Sequence, residues 1–221
     1  MPKRATYREH GDGCAAARAL DLIGDRWTVV IIRELLLHPK RFRELQDLLP
    51  GVTPAVLTAR LRELGDSGLL SHGPDDGPAT YGLTERGKAF WPVLEELGWW
   101  ASGFAAVEDD TSLTPNGVLL AMLTVARRLP RRADVRCALT LYDERLRNPR
   151  DYTYSITWTP SDLAVTETAS NTDAPRISSG RFAEVLFDQP IPNAPRDELS
   201  ARLRSLVKDF RRAMSRTGTA K

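Results

Sequence analysis

Apolar residues recur at helical spacing over much of the first hundred positions. Leu57, Leu61 and Leu64 lie at i, i+4 and i+7, so they form one stripe that must face a core. The residues expected to bound this helix are Thr53 as N-cap, Pro54 at the first helical position, and Gly65 or Gly68 at the end. The pattern therefore predicts one short, complete helix with an exposed face opposite the leucines.

The neighbouring patterns predict three helices before this one, and a hairpin and a longer helix after it. The earlier helices are expected at 14–24, 25–37 and 41–51, the hairpin strands at 69–72 and 79–84, and the later helix at 85–104, interrupted or bent near Pro92. This order is typical of a winged helix-turn-helix, in which the capped helix enters the major groove of DNA and the hairpin is the wing. A small α+β domain with another use is the alternative.

The second half of the chain has a different pattern. After a polar stretch at 107–117 come a helix at 118–129, strand-like runs at 135–142, 152–158 and 162–168, a segment at 181–187 and a final helix. In the final helix an apolar stripe opposes a basic one: Leu199, Leu203, Leu206 and Phe210 against Arg202, Arg204, Lys208 and Arg211. The predicted fold is α+β: a winged helix-turn-helix domain (1–106), a linker (107–117) and an α+β domain with an antiparallel sheet (118–221).

Composition narrows the class of protein. The chain has 221 residues, of which 42% are hydrophobic, which is enough for packed cores. No apolar run approaches the ~18 residues of a membrane helix and the N-terminus lacks an apolar signal region, so we expect a cytoplasmic protein with no membrane partner. Two distant cysteines, Cys14 and Cys137, indicate free thiols in a reducing compartment.

Charge gives only weak guidance about nucleic acid. The net charge is +2; residues 1–105 carry 13 Lys and Arg against 14 Asp and Glu, and residues 106–221 carry 18 against 15. Bulk charge therefore argues weakly against DNA, and a few well-placed cations must make any phosphate contacts.

Five blocks of sequence resemble a known family. "CAAARALDLIGDRWTVVIIREL", "PKRFREL", "VTPAVLTARLREL", "GLL" and "YGLTERG" follow one another in the order found in HxlR-type regulators, a branch of the MarR-like winged-helix transcription factors. The resemblance covers about residues 14–100 and implies a homodimeric bacterial regulator that binds double-stranded DNA at palindromic operators. The tip of the wing, "GPDDGPA", departs from the family because it has two aspartates where basic residues are usual.

Candidate DNA-binding residues cluster on and before the capped helix. Arginine can pair bidentately with guanine, threonine can contact base edges, and small residues let a helix sink into the groove. The candidates for base recognition are Thr53, Ala55, Thr58, Ala59 and Arg62. Lys40, Arg41 and Arg43 are expected to contact phosphates, whereas Arg60 is expected either to clamp a phosphate or to pair with a carboxylate of its own chain.

The remaining chemistry centres on Cys14. It opens the first helix, where free N–H groups lower a thiol pKa, and a cysteine there is an oxidation or electrophile sensor in some members of the resembling family. An inert, partly buried residue is the alternative, and Cys137 is expected in the core. The three histidines are far apart, with no cysteine or carboxylate at metal-ligand spacing, so no metal site is expected. No G-x-S-x-G motif is present, so an enzyme is the weaker class, and no cofactor is expected.

Two further surfaces are predicted. Helix 85–104 carries more aromatic surface than its small domain needs, which indicates a dimer interface formed with the first helix. The interface candidates are Phe90, Trp91, Leu94, Leu97, Trp99 and Trp100.

Alternating residues of one strand share a face that lines either a pocket for a small hydrophobic effector or a plain core: Tyr152, Tyr154, Ile156 and Trp158. The layout of the second half faintly resembles a sterol carrier protein-like domain, which implies an apolar tunnel.

The sequence thus predicts a DNA-binding regulator controlled by a small apolar effector or by oxidation of Cys14. Two rivals stay open at this point. One is an enzyme domain at 118–221 fused to a DNA-targeting module, and the other is a protein–protein adaptor that uses a winged helix without DNA.

Overall fold

The computed structural model describes residues 6–7, 9–73, 79–101, 113–129, 134–159, 163–168, 174–187 and 201–216, without the side chains of 201–203 and 213–216. The chain divides into two compact units. The N-terminal unit comprises residues 1–35 and 39–88, and the C-terminal unit comprises 36–38 and 89–221. The boundary therefore falls between Lys88 and Ala89, whereas the sequence predicted a domain ending at 106.

The N-terminal unit has the predicted order of helices and hairpin, with one strand, Lys40–Arg41, that was not predicted. The bounds are α1 (Ala15–Ile23), α2 (Thr28–Leu35), β1 (Lys40–Arg41), α3 (Phe42–Leu48), α4 (Pro54–Asp66), β2 (Leu70–His72), β3 (Thr80–Leu83) and α5 (Glu85–Lys88). Its sheet has the strand order β1-β3-β2, and both pairings are antiparallel. The core is built from inward-facing aliphatic side chains of α2, α3, α4 and the hairpin. Burial of these stripes, and not helix propensity, is what holds such short helices.

Helix α4 begins and ends as the sequence indicated. The Thr53 hydroxyl accepts a hydrogen bond from the Val56 N–H, and Pro54 occupies the first turn. At the other end Gly68 adopts a positive φ of 71°. Its N–H donates to the Gly65 carbonyl, and the Leu69 N–H donates to the Leu64 carbonyl, which together form a Schellman C-terminus. Of the two predicted stop residues, Gly68 is the one that turns the chain out of the helix.

The C-terminal unit is an α+β structure. Its elements are α6 (Trp91–Ala101), α7 (Pro115–Ala126), β4 (Val135–Tyr142), β5 (Tyr152–Trp158), β6 (Leu163–Glu167), β7 (Arg176–Ser178), α8 (Ser179–Phe187) and α9 (Ala201–Arg216). The sheet has the order β6-β5-β4-β7; β7 pairs with β4 in parallel, and the other pairs are antiparallel. The sheet is therefore mixed, which corrects the prediction of an antiparallel one.

Two other sequence expectations change in this unit. Helix 85–104 is two helices, α5 and α6, separated by two residues immediately before the predicted interruption near Pro92. The predicted linker 107–117 lies outside the described residues up to 112, and its last three residues form the first turn of α7. Thr114 caps that turn by accepting from the Gly117 N–H at 3.0 Å, and Asn116 is buried.

No helix within the described part of the chain combines the length and apolar character that a membrane crossing requires.

Candidate nucleic-acid interface

The exposed face of α4 carries the residues predicted for base recognition. Leu57, Leu61 and Leu64 are buried, which fixes the rotation of the helix. On the opposite face Thr53, Ala55, Thr58 and Arg62 are exposed, and Ala59 is half-buried. This face has short side chains along most of its length and one long cation, a shape that lets a helix backbone approach the floor of a groove closely.

The two arginines of α4 have different surroundings. Arg60 pairs with Glu63 one turn along the helix, and its Nε lies 3.6 Å from Oδ1 of Asp25. Of the two alternatives for Arg60, the structure therefore favours pairing within the chain over a phosphate clamp. Arg62 is exposed, and its guanidinium has no hydrogen-bonded or ion-paired partner within the part of the chain that the structure describes.

Asp25 is a site residue that the sequence interpretation missed. Its Oδ1 accepts from the Trp27 N–H at 2.8 Å and the Thr28 N–H at 3.1 Å, and the Thr28 hydroxyl donates to its Oδ2. The carboxylate thus caps α2 and also holds Arg60. An aspartate just before a helix is a recognisable capping signal, but its contact with residue 60 needs the tertiary fold.

The three cations predicted to contact phosphates do not behave alike. Lys40 is 1% exposed, because β1 pairs it with Tyr81 of β3 and directs its side chain inward. The assignment of Lys40 to a phosphate contact is therefore wrong. Arg41, the next residue, faces outward, as strand alternation requires. Arg43, in the first turn of α3, is also exposed. Arg41 and Arg43 remain candidates for positioning the unit on a backbone.

The wing is present as β2 and β3. Its tip at 74–78, including both aspartates, lies outside the described residues. At the base of the hairpin the rings of His72 and Tyr81 are 5.2 Å apart, and both residues are at least partly accessible. The base of the wing is therefore held by strand pairing and a ring contact.

Cys14 is the exposed N-cap of α1. The backbone N–H groups of Ala17 and Ala16 lower the pKa of the Cys14 thiol below its ordinary value, and the charge of Arg18 acts in the same direction. Cys14 is thus not the partly buried residue of the alternative, and its lowered pKa favours ionisation of the thiol. Cys137 is buried in β4, as predicted.

Helix α6 exposes apolar surface along one side. Val93, Leu97 and Trp100 lie at i, i+4 and i+7 and are 50%, 43% and 66% exposed. The other predicted interface residues, Phe90, Trp91, Leu94 and Trp99, are half-buried. Two of these contact arginines of α7: Arg127 lies over the ring of Trp91 and Arg128 over that of Trp99, 4.9 and 4.7 Å from the ring centroids. The aromatic residues of α6 are thus divided between contacts inside the unit and an open face.

Comparison with known proteins bears on the N-terminal half. A family model described as HxlR-like helix-turn-helix matches residues 22–109. YvaP of Bacillus subtilis, an uncharacterized HTH-type transcriptional regulator, is 37% identical over 90 residues. The matched region is 38% of this chain and 82% of that protein. YodB of the same organism, an HTH-type transcriptional regulator, is 34% identical over 94 residues, 41% of this chain and 84% of its own.

The chain belongs to the HxlR-like helix-turn-helix family. It is therefore a DNA-binding transcriptional regulator of the HxlR type, and the enzyme and adaptor rivals are not favoured for the family portion. Among solved structures, quinone-bound YodB from B. subtilis matches at 34% identity with a TM-score of 0.37, covering 40% of this chain and 97% of that one. A structure of the redox regulator HypR in its oxidized form matches at 28% identity with a TM-score of 0.40, covering 42% and 100%.

In this HxlR-type regulator the family model ends at residue 109, so most of the C-terminal unit is not matched by it. The comparisons give no support to the resemblance to a sterol carrier protein-like domain. The predicted effector residues Tyr152, Tyr154, Ile156 and Trp158 are all buried. The Tyr154 hydroxyl donates to Oδ1 of Asn116 at 2.9 Å, and the ring of Trp158 meets that of Phe210 at 6.0 Å. These contacts favour the plain-core alternative over a pocket. No cluster of metal-binding side chains occurs among the residues described.

Proposed function

We propose that this HxlR-type regulator acts as a homodimer that inserts α4 of each protomer into the major groove of a palindromic operator. The observation that carries the proposal is the exposed face of α4, with its short side chains and the single outward guanidinium of Arg62. Such a guanidinium is suited to bidentate contact with guanine, and Thr58 to contact with a base edge or a thymine methyl group. Arg41 and Arg43 contact phosphates and set the orientation of the unit.

The test of base recognition compares two arginines. A duplex is first selected from a random pool with the wild-type protein, and its affinity is then measured for Arg62→Ala and Arg41→Ala. Loss of one bidentate pair costs about 1–3 kcal/mol, so Arg62→Ala should weaken the selected site by about five- to 150-fold for each of the two half-sites and relax base preference at one position of each. Arg41→Ala should weaken selected and random duplexes by the same factor. Unchanged affinity and base preference in Arg62→Ala would mean that α4 is not oriented as proposed.

Dimerisation is supported by the open apolar face of α6 and by Leu20 of α1, which is 50% exposed. Exposed apolar patches of this kind are typical of surfaces that a partner covers. Two-fold pairing would set the recognition helices about 34 Å apart, one turn of DNA. Mass measurement at micromolar concentration should give a dimer, and Trp100→Glu should shift it toward monomer while Arg86→Glu, a control on α5, should not. A wild-type protein that is only monomeric would exclude this part of the proposal.

Cys14 gives the regulator a means of control by oxidants or electrophiles. The supporting observations are its exposure and its lowered thiol pKa at the start of α1. Treatment with a thiol-specific electrophile should change operator affinity in the wild-type protein and leave Cys14→Ser unaffected, with the dimer mass followed in parallel. The same response in both proteins would exclude Cys14 as the sensor. The packed strand residues give no support to a small apolar effector, which is therefore not part of the proposal.

A further inference from the structure

Helix α9 presents a row of cations on its outer face. Arg204, Lys208, Arg211 and Arg212 are all exposed. With 3.6 residues per turn they fall within an arc of about 100°, and from first to last they extend about 12 Å along the axis. Asp209, the acidic residue of this segment, lies outside the arc and is half-buried. The outer face of α9 therefore carries four exposed cations in a row, called the α9 strip.

The opposite face of α9 fixes this orientation. Leu206, Val207 and Phe210 are buried. The ring of Phe210 contacts Trp158 of β5 and Phe187 of α8, with centroids 6.0 and 5.8 Å apart. The apolar side of the helix is thus taken up by the core of the unit, so the cations must face solvent. The same packing removes the apolar face that an interfacial membrane helix would have to bury among lipid tails.

The charge of α9 contrasts with that of the DNA-reading part of the chain. Residues 201–216 contain six Lys and Arg and one Asp, whereas residues 1–88 contain 13 Lys and Arg and 12 Asp and Glu. Arg60 pairs with the carboxylates of Asp25 and Glu63, and Lys40 is buried, so neither is expected to contact a phosphate. Neutralising phosphates supplies most of the sequence-independent part of DNA affinity. The winged-helix unit has a balanced charge and offers Arg41 and Arg43 for such contacts, and α9 adds charge of the required sign in a compact row.

We propose that the outer face of α9 binds the phosphodiester backbone of duplex DNA and adds sequence-independent affinity to the base recognition assigned to α4. The proposal rests on the proposed DNA-binding function and extends it to the C-terminal unit, which the family model leaves unassigned beyond residue 109. Over ~12 Å a duplex presents several phosphates, about one charge for each 1.7 Å of its axis. Long, flexible basic side chains reach them without a fixed register, so no base specificity arises from this face.

The experiment uses the full-length chain with two charge-neutralising variants. Lys208→Gln with Arg212→Gln removes two cations from the α9 row. Arg136→Gln with Arg147→Gln is the matched control, since it removes two exposed cations of the same unit outside α9. Affinity for the selected operator and for a random duplex is measured against salt concentration. Each lost phosphate contact lowers the slope of log K against log salt by about 0.9, so the α9 variant should lose about 1.8 for each protomer on the duplex, or about 3.6 for a dimer, and the control should keep the wild-type slope.

The outcomes separate this proposal from the preceding one. If the wild-type chain binds neither duplex, the proposed function itself fails. If the wild-type chain binds and the α9 variant keeps the wild-type slope, or if the control loses as much, the inference about α9 is overturned and base recognition by α4 stands. A parallel measurement with vesicles of phosphatidylserine and phosphatidylcholine should show no binding. If the wild-type chain binds these vesicles, if the α9 substitutions abolish that binding and if the salt slope for DNA is unchanged, the α9 strip would be assigned to a membrane surface. Because all four substituted residues are exposed, the thermal midpoints of both variants should match the wild type.

Discussion

Substituting Gly87 by alanine should destabilise the base of the wing. Gly87 is buried in α5, and a Cβ there would lie 2.3 Å from the carbonyl oxygen of Leu69 and 3.0 Å from Cδ2 of Leu83. The oxygen belongs to backbone that leads directly into β2, and it accepts the Thr84 N–H at 3.0 Å. A backbone atom cannot move away as the end of a flexible side chain can, so relief of the clash must stretch this hydrogen bond and displace the start of the hairpin.

The cost combines overpacking with a weakened hydrogen bond. Overpacking of a dense core costs about 1–3 kcal/mol and a net hydrogen bond about 0.5–1.5 kcal/mol, which together suggest a loss of about 2–4 kcal/mol. In urea, with a slope of about 2 kcal/mol/M, the unfolding midpoint of the N-terminal unit should fall by about 1–2 M. Fluorescence of Trp27, isolated by replacing the other tryptophans with phenylalanine in all proteins compared, reports the unit that contains the substitution.

Gly65→Ala is the matched control for this prediction. Gly65 lies inside α4, and nothing comes within 4 Å of a Cβ built on it. Alanine there should stabilise the helix by about 0.5–1 kcal/mol, so its midpoint should rise. The reasoning about close approach at Gly87 would be refuted if Gly87→Ala unfolds at or above the wild-type midpoint with an unchanged slope.

Three further substitutions and treatments test other parts of the structure. Tyr154→Phe should lower the free energy of unfolding of the C-terminal unit by about 1–3 kcal/mol in urea titration, because it leaves the buried Oδ1 of Asn116 without the phenol donor; a change below 0.5 kcal/mol would contradict this. Gly68→Ala should cost about 1–2 kcal/mol, since alanine disfavours a φ of 71°, and a thermal midpoint equal to that of the wild type would argue against the Schellman geometry. Because the pKa of Cys14 is lowered in the folded state, its alkylation by iodoacetamide should reach half its maximal rate at a lower pH in the native protein than in urea. The buried Cys137 should react only after unfolding. Mass spectrometry of the two cysteine-containing peptides measures both rates.

Much of the local structure was predictable because it depends on short-range spacing. The stripe of Leu57, Leu61 and Leu64 and the cap at Thr53 specify α4 within one segment of sequence, and the structure shows both. The strand pattern at 135–142 and 152–158 matches the bounds of β4 and β5, because alternation of apolar and polar residues is a local property of the sequence. The order of helices and hairpin then indicated a winged helix, and membership of the HxlR-like family agrees with it.

Several properties of the candidate site depend on which distant residues the fold brings together. Lys40 faces the core because β1 pairs it with Tyr81 of β3. Arg60 is directed to a carboxylate of its own chain because the fold brings Asp25 close to it. Neither contact has a periodic signal in the sequence, because the partners lie 41 and 35 residues apart along the chain.

The spacing of residues along the chain also did not determine which strands pair or where one compact unit ends and the next begins. The parallel pairing of β7 with β4 was not predicted, since a short strand far along the chain carries no mark of its neighbour. The boundary between Lys88 and Ala89 divides a stretch whose apolar residues read as one helix, because the choice of core depends on packing rather than periodicity. The sequence by itself determined α4, its Thr53 cap and its exposed face; the tertiary structure decided which charges on and around that face can meet a phosphate, because burial and ion pairing are set by residues distant along the chain.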